Sequence, residues 1–111
     1  MDSSEPTKIL LVDDCHDVTQ VTKTLLELYG FKVSLRFNGE ECVEAARLLQ
    51  PDVIITDIDM PIMDGIAACN MIKKKRENKI PVIALSGNME LFFGKRVDHS
   101  FDAWLNKACD Y

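Results

Sequence analysis

The sequence predicts an α/β fold: a doubly wound, five-stranded parallel sheet of five β-α units whose last helix is lacking. Three observations carry this. Five short, apolar, β-rich segments alternate with stretches of helical spacing, in the order β-α-β-α-β-α-β-α-β. Several of the strand segments are continuous apolar runs rather than alternating ones, as strands covered on both faces of a parallel sheet require. The chain has 111 residues without repeat, linker or low-complexity stretch, so residues 1–111 read as one domain with its core over 7–107.

The strand segments are Lys8–Val12, Lys32–Leu35, Val53–Thr56, Pro81–Leu85 and a weaker Ala103–Leu105. The first helix carries Val18, Val21, Leu25 and Leu28 on one stripe, with Gly30 as its C-terminal stop. Glu40 to Leu49 places Val43, Ala46 and Leu49 on the second, before the break at Pro51. Ile66, Cys69 and Ile72 mark a third, which runs into Lys73-Lys74-Lys75-Arg76. That basic run reads as a solvated helix end with favourable dipole placement. Phe92, Phe93 and Val97 suggest a short helix within Met89–Ser100, weakened by Gly94. After the fifth strand only Asn106–Tyr111 remain, too few for a fifth helix.

Composition narrows the function classes. Thirteen basic against eighteen acidic residues give a formal charge of −5, a poor basis for direct nucleic-acid binding, which needs cations to neutralise phosphates. No apolar run approaches the roughly 20 residues of a membrane span, and the polar Met1–Lys8 lead lacks a signal-peptide core. Cys15, Cys42, Cys69 and Cys109 are widely spaced, without CxxC or paired His, and read as free thiols of a reducing, cytoplasmic setting.

In an open α/β sheet, ligands bind beyond the carboxyl ends of the strands. Those ends carry Asp13-Asp14 after the first strand, Asp57 and Asp59 after the third, Ser86 after the fourth and Lys107 after the fifth. A single Asp there is commonly a helix N-cap, a role open to Asp14 or Asp17. The set asks for more. Two carboxylates about 5 Å apart repel by roughly 3 kcal/mol at an effective dielectric of 20, so clustering three calls for a bound cation or a protonated member. Mg²⁺ takes oxygen ligands of this kind. A metal, an Asp, a Ser and a Lys at one rim suggest phosphoryl transfer to a carboxylate, with Asp57 as in-line nucleophile, Ser86 and Lys107 on the phosphoryl oxygens, and Gly87 leaving room.

These residues resemble the receiver domain of two-component response regulators, including the single-domain chemotaxis regulator. The resemblance runs from about Lys8 to Lys107. It rests on Leu11-Val12-Asp13-Asp14, on Thr56-Asp57-Ile58-Asp59-Met60-Pro61-Ile62-Met63-Asp64-Gly65, on Ala84-Leu85-Ser86-Gly87, and on Asp102-Ala103-Trp104-Leu105-Asn106-Lys107. It implies the flavodoxin-like strand order 2-1-3-4-5 and a phosphoacceptor rather than an enzyme. By the same resemblance, a histidine kinase or histidine phosphotransfer protein would donate phosphate to Asp57, and a downstream effector or output domain would read the result. It also implies Mg²⁺ on Asp13, Asp14, Asp57 and the backbone carbonyl of Asp59, with Ser86 and Trp104 as the switch pair. Pro61 and Gly65 correspond to the family's proline and glycine that shape the loop after the phosphorylation site, and Asp59 and Asn88 occupy positions that in the family tune phosphate loss.

The chain departs from the family pattern at three places. Ala108 follows Lys107 where proline with a cis bond is usual, and a cis bond to a non-proline costs about 2.5 to 4 kcal/mol, so a trans bond or a rearranged loop is expected and the family's aim of Lys107 does not carry over directly. Trp104 stands where a smaller aromatic is usual and equally fits plain core. The lacking last helix leaves an apolar face, which predicts self-association as a homodimer. Two other classes compete. One is a receiver-like interaction module that no longer uses phosphorylation. The other is a haloacid-dehalogenase-like phosphatase, which shares the Asp57-Ile58-Asp59 form but carries its nucleophile after the first strand and needs a cap domain.

Overall fold

In the computed structural model, the described residues are 5–74, 79–86 and 101–106. Five strands, β1 (Lys8–Val12), β2 (Lys32–Arg36), β3 (Val53–Asp57), β4 (Val82–Ser86) and β5 (Ala103–Asn106), form one sheet in the order β2-β1-β3-β4-β5. Every pairing is parallel. The helices are α1 (His16–Leu28), α2 (Gly39–Leu49) and α3 (Gly65–Lys73). The strand order is the one the resemblance implied, and each strand lies within one residue of its expected bounds. The helix expected within 89–100 lies outside the described residues, as do Gly87, Asn88, Lys107, Ala108 and Cys109.

The side-chain period of two sends alternate residues of each strand to opposite faces. From the central strands, Leu10, Val12, Ile54, Val82 and Ala84 point to one face, where α2 and α3 cover them with Cys42, Ala45, Ala46, Ile66, Cys69 and Ile72. Ile9, Leu11 and Val33 point to the other, against Leu26 of α1. The β1 run Ile9-Leu10-Leu11-Val12 is therefore buried throughout, which explains its unbroken apolarity.

Local chemistry sets the helix ends. Asn38 caps α2 through its side chain, accepting from the Glu41 N–H, while Glu41 reaches back to the Phe37 N–H. This reciprocal pair closes the first turn. Asp64 caps α3, accepting from the Ala67 N–H at 2.8 Å. Neither Asp14 nor Asp17 caps α1. Its N-cap is Cys15, which makes no side-chain cap bond. Gly30 follows α1 with φ +93°, a left-handed conformation that glycine adopts without strain.

Two expectations need correction. Most of the stripe Val18-Val21-Leu25-Leu28 does not face the sheet: Val18 is half-buried, but Val21, Leu25 and Leu28 are 60%, 54% and 77% exposed. Fully buried Thr19, half-buried Thr22 and Leu26 face inward instead. The threonines tolerate this because each hydroxyl donates to a backbone carbonyl one turn earlier, Thr19 to Cys15 and His16, Thr22 to Val18. Lys73 is likewise no free helix end. Its ammonium lies 2.7 Å from Asp102 and donates to the Ile80 carbonyl at 2.9 Å, while Asp102 also accepts from the Val82 N–H. These bonds tie the end of α3 to the starts of β4 and β5.

Candidate functional site

The carboxyl ends of β1, β3 and β4 lie side by side because the sheet order places β1 and β4 on either side of β3. Asp13 and Asp14 follow β1, Asp57 ends β3 and Ser86 ends β4. The structure brings Asp13, Asp14 and Asp57 together: one carboxylate oxygen from each lies within 4.8 Å of the others. Asp13 and Asp57 are 1% and 9% exposed, and Asp14 is open to solvent. Ser86 is buried on the neighbouring strand, one position beyond the residue paired with Asp57. Adjacent strands lie about 4.8 Å apart, so its hydroxyl shares this rim.

Backbone donors hold the two buried carboxylates. The Ile58 N–H donates to Asp57 Oδ1 at 2.8 Å, and the Cys15 N–H donates to Asp13 Oδ1 at 3.1 Å. Each bond fixes a rotamer without adding positive charge to the rim. Three carboxylates remain crowded there, an arrangement whose mutual repulsion a cation relieves. The donors are all oxygen, which fits a hard divalent ion such as Mg²⁺. The Asp59 side chain is exposed and outside this cluster; only its backbone carbonyl was expected to take part.

The loop from Asp57 to α3 is held at close quarters. Gly65 sits against the Asp57 carbonyl so tightly that a Cβ there would overlap it, and its N–H donates to the Ile58 carbonyl at 2.8 Å. A side chain on Gly65 would push α3 off the end of β3. Between Pro61 and Gly65 the chain turns sharply: the Met63 N–H donates to the Pro61 carbonyl at 2.7 Å, and Ile62 has φ +71°. That left-handed backbone is unfavourable for a β-branched residue. Met63 in turn accepts from the Gly39 N–H at the head of α2, so the loop is anchored to α2 and α3.

Trp104 pairs in register with Ala84, on the face that carries α2 and α3, and is 39% exposed, so it is not plain core. Lys107 lies outside the described residues. One contact beside the rim had no signal in the sequence beyond its residue types: the His16 ring stacks on Phe37 with centroids 3.9 Å apart, joining the start of α1 to the end of β2.

Comparison with known proteins agrees with this geometry. Residues 9–110 match the family described as the response regulator receiver domain. The chain is 37% identical over 79 residues to the transcriptional regulatory protein PrrA of Mycobacterium leprae, and 38% identical over 78 residues to a probable transcriptional regulator, ycf27, of Cyanidium caldarium. Those matches take in 71% and 70% of the chain but 34% and 30% of the relatives, so the chain spans about a third of their length. Among solved structures, the signal receiver domain of a histidine kinase from Syntrophus aciditrophicus superposes with a TM-score of 0.83 at 32% identity, over 93% of this chain and 80% of that one. The receiver domain of a sensor histidine kinase from Pseudomonas aeruginosa, solved with a magnesium ion in its active-site cleft, gives 0.86 at 28% identity, over 95% and 88%. With a family match across nearly the whole chain, the expected sheet order and the acidic rim in place, the chain belongs to the response regulator receiver domain family.

Proposed function

We propose that this receiver domain accepts a phosphoryl group on Asp57 from a histidine kinase or histidine phosphotransfer protein, and that the modified state controls a partner or output domain. The observation that carries this reading is the convergence of Asp13, Asp14 and Asp57 within 4.8 Å at the carboxyl edge of the sheet. In the transfer, the phosphorus–nitrogen bond of the donor phosphohistidine breaks as a bond forms from an Asp57 carboxylate oxygen to phosphorus. The Ile58 N–H fixes the carboxylate rotamer for in-line approach. Mg²⁺ would be held by Asp13, Asp14 and Asp57 with the Asp59 backbone carbonyl, and when bound it neutralises charge on the transferring group. The magnesium in the similar Pseudomonas receiver supports that assignment.

The Ser86 hydroxyl donates to one phosphoryl oxygen, and Lys107 is assigned to another from the sequence alone. The Ser86 move and the Trp104 packing change form the switch. The domain acts as a phosphoacceptor that assists its own phosphorylation and dephosphorylation, not as an enzyme on an external substrate, and works in the cytoplasm. The names of the matched relatives support control of a transcriptional output. No helix among the described residues is long and apolar enough to cross a membrane.

Titration with beryllofluoride or acetyl phosphate, with and without Mg²⁺, tests this. A Mg²⁺-dependent change in Trp104 fluorescence is expected, and loss of all labelling in Asp57→Asn. No response to either reagent would favour the interaction module that no longer uses phosphorylation; label persisting in Asp57→Asn would place the acceptor elsewhere.

A further inference from the structure

Away from the acidic rim, α2 and α3 leave between them an open groove of about 580 Å³. Its floor is apolar, made by Val43 of α2, Met63 of the loop and Met71 of α3, which is 46% exposed. Its described rim is α2: Glu40, Glu41, Glu44 and Arg47. Arg47 is spoken for, held by both carboxylate oxygens of Glu44 at 2.9 and 2.7 Å. Three carboxylates against one guanidinium leave the rim two charges negative. Glu41 is tied by the Phe37 N–H, so Glu40 carries the most accessible charge. Methionine floors adapt to varied apolar side chains. A groove between two helices receives a third helix whose apolar stripe enters while its polar flanks meet the rim.

We propose that this groove docks a basic amphipathic helix of a partner protein, with apolar residues on Val43, Met63 and Met71 and Lys or Arg beside Glu40 and Glu44. The acidic rim selects the sign of the flanking charges, and the floor rejects a helix without an apolar stripe. Met63 belongs to the loop that starts at Asp57 and is bonded to Gly39 at the head of α2. An occupant therefore touches the same loop as the phosphoacceptor, although its binding does not depend on phosphorylation.

The test uses the unphosphorylated protein and a fluorescein-labelled synthetic helix of Leu and Lys at amphipathic spacing, with a scrambled peptide of equal composition. Fluorescence anisotropy is expected to show at least tenfold tighter binding of the amphipathic peptide. Backbone amide shifts are expected over Glu40–Arg47, Met63 and Met71. Met71→Glu and Glu40→Lys, both at exposed positions, are each expected to weaken binding about tenfold. Equal affinity for the scrambled peptide, or shifts gathered at Asp13, Asp14 and Asp57, would mean general charge attraction and overturn the proposal. So would self-association of the chain that Met71→Glu abolishes, which would make a second copy the occupant.

Discussion

The two faces of the sheet are built from strands of similar composition but are sealed differently. Toward α2 and α3, the residues sent inward from β1, β3 and β4 are fully covered, and Leu10, Ile54, Val82 and Ala84 have no exposure. Toward α1, the buried cluster among the described residues is Ile9, Leu11 and Val33, while Val53 and Ile55 are partly covered. Farther along this face, Leu105, in register with Leu85, is 51% exposed. Among the described residues, α1 alone lies on this face, over β1 and β2. It brings inward two threonines and Leu26 and turns its larger apolar residues outward. A strand's apolarity thus reports that it can be covered, not that it is.

Core truncation should separate the faces most strongly. Ile54→Ala on the sealed face is expected to cost about 2 to 5 kcal/mol, through lost transfer energy and the cavity left behind. Leu105→Ala is expected to cost under about 1 kcal/mol. Denaturant midpoints measure both, and equal losses would mean that the α1 face is covered as fully as the other.

Gly65→Ala comes next, at about 1 to 3 kcal/mol, because the added methyl meets the Asp57 carbonyl and α3 must shift. The same variant should slow phosphate uptake from acetyl phosphate. Stability lost with uptake unchanged would separate this packing from the site.

Alkaline pH probes how well the α2–α3 side is sealed. Burial, with a smaller effect from neighbouring Cys69, pushes the Cys42 thiol from its ordinary 9.0 up to about 12. The folded form keeps the proton that the unfolded form releases, so this contribution is whole below about pH 9 and is lost as pH rises toward 12. The expected slope is ~1.4 kcal/mol per pH unit, and Cys42→Ala should remove it. An unchanged slope in that variant would show that the thiol is not sealed from solvent.

At the opposite edge the effects are smaller. Burial alone would raise the Asp102 carboxyl, but the Lys73 hydrogen bond, the Val82 N–H and the Lys73 charge outweigh it and hold it below its usual 3.8. Its contribution is present above that value and is lost as pH falls below it. The Lys73–Asp102 pair is partly exposed, so Lys73→Met is expected to cost under about 1 kcal/mol and to weaken the acid dependence of stability.

Leu25→Lys should change stability by no more than about 0.5 kcal/mol, since that side chain already faces solvent. Homodimerisation through the α1 face is expected to give a dimer mass in light scattering at high concentration, which this variant returns toward monomer. A sharp monomer mass in the parent chain removes that expectation.

Much of the site was legible because its chemistry is local to strand ends. Asp13-Asp14 and Asp57 close apolar runs, and the parallel sheet implied by those runs puts their ends on one edge. The Lys73–Asp102 clasp was hidden because its partners are 29 positions apart and meet only once β4 and β5 are aligned. The tightness at Gly65 was hidden too, since a glycine names no neighbour.

Strand periodicity points to the parallel sheet, and the placement of Asp13, Asp14 and Asp57 at strand ends to the acidic rim, because each depends on a residue's own properties and its near neighbours in the chain. Which stripe of α1 turns inward, how closely α3 presses on Asp57, and which face of the sheet is sealed were decided only by packing. Helical periodicity groups side chains on a stripe without saying what lies opposite. The neighbour that buries Thr19 and leaves Leu28 in solvent exists only when the chain is folded.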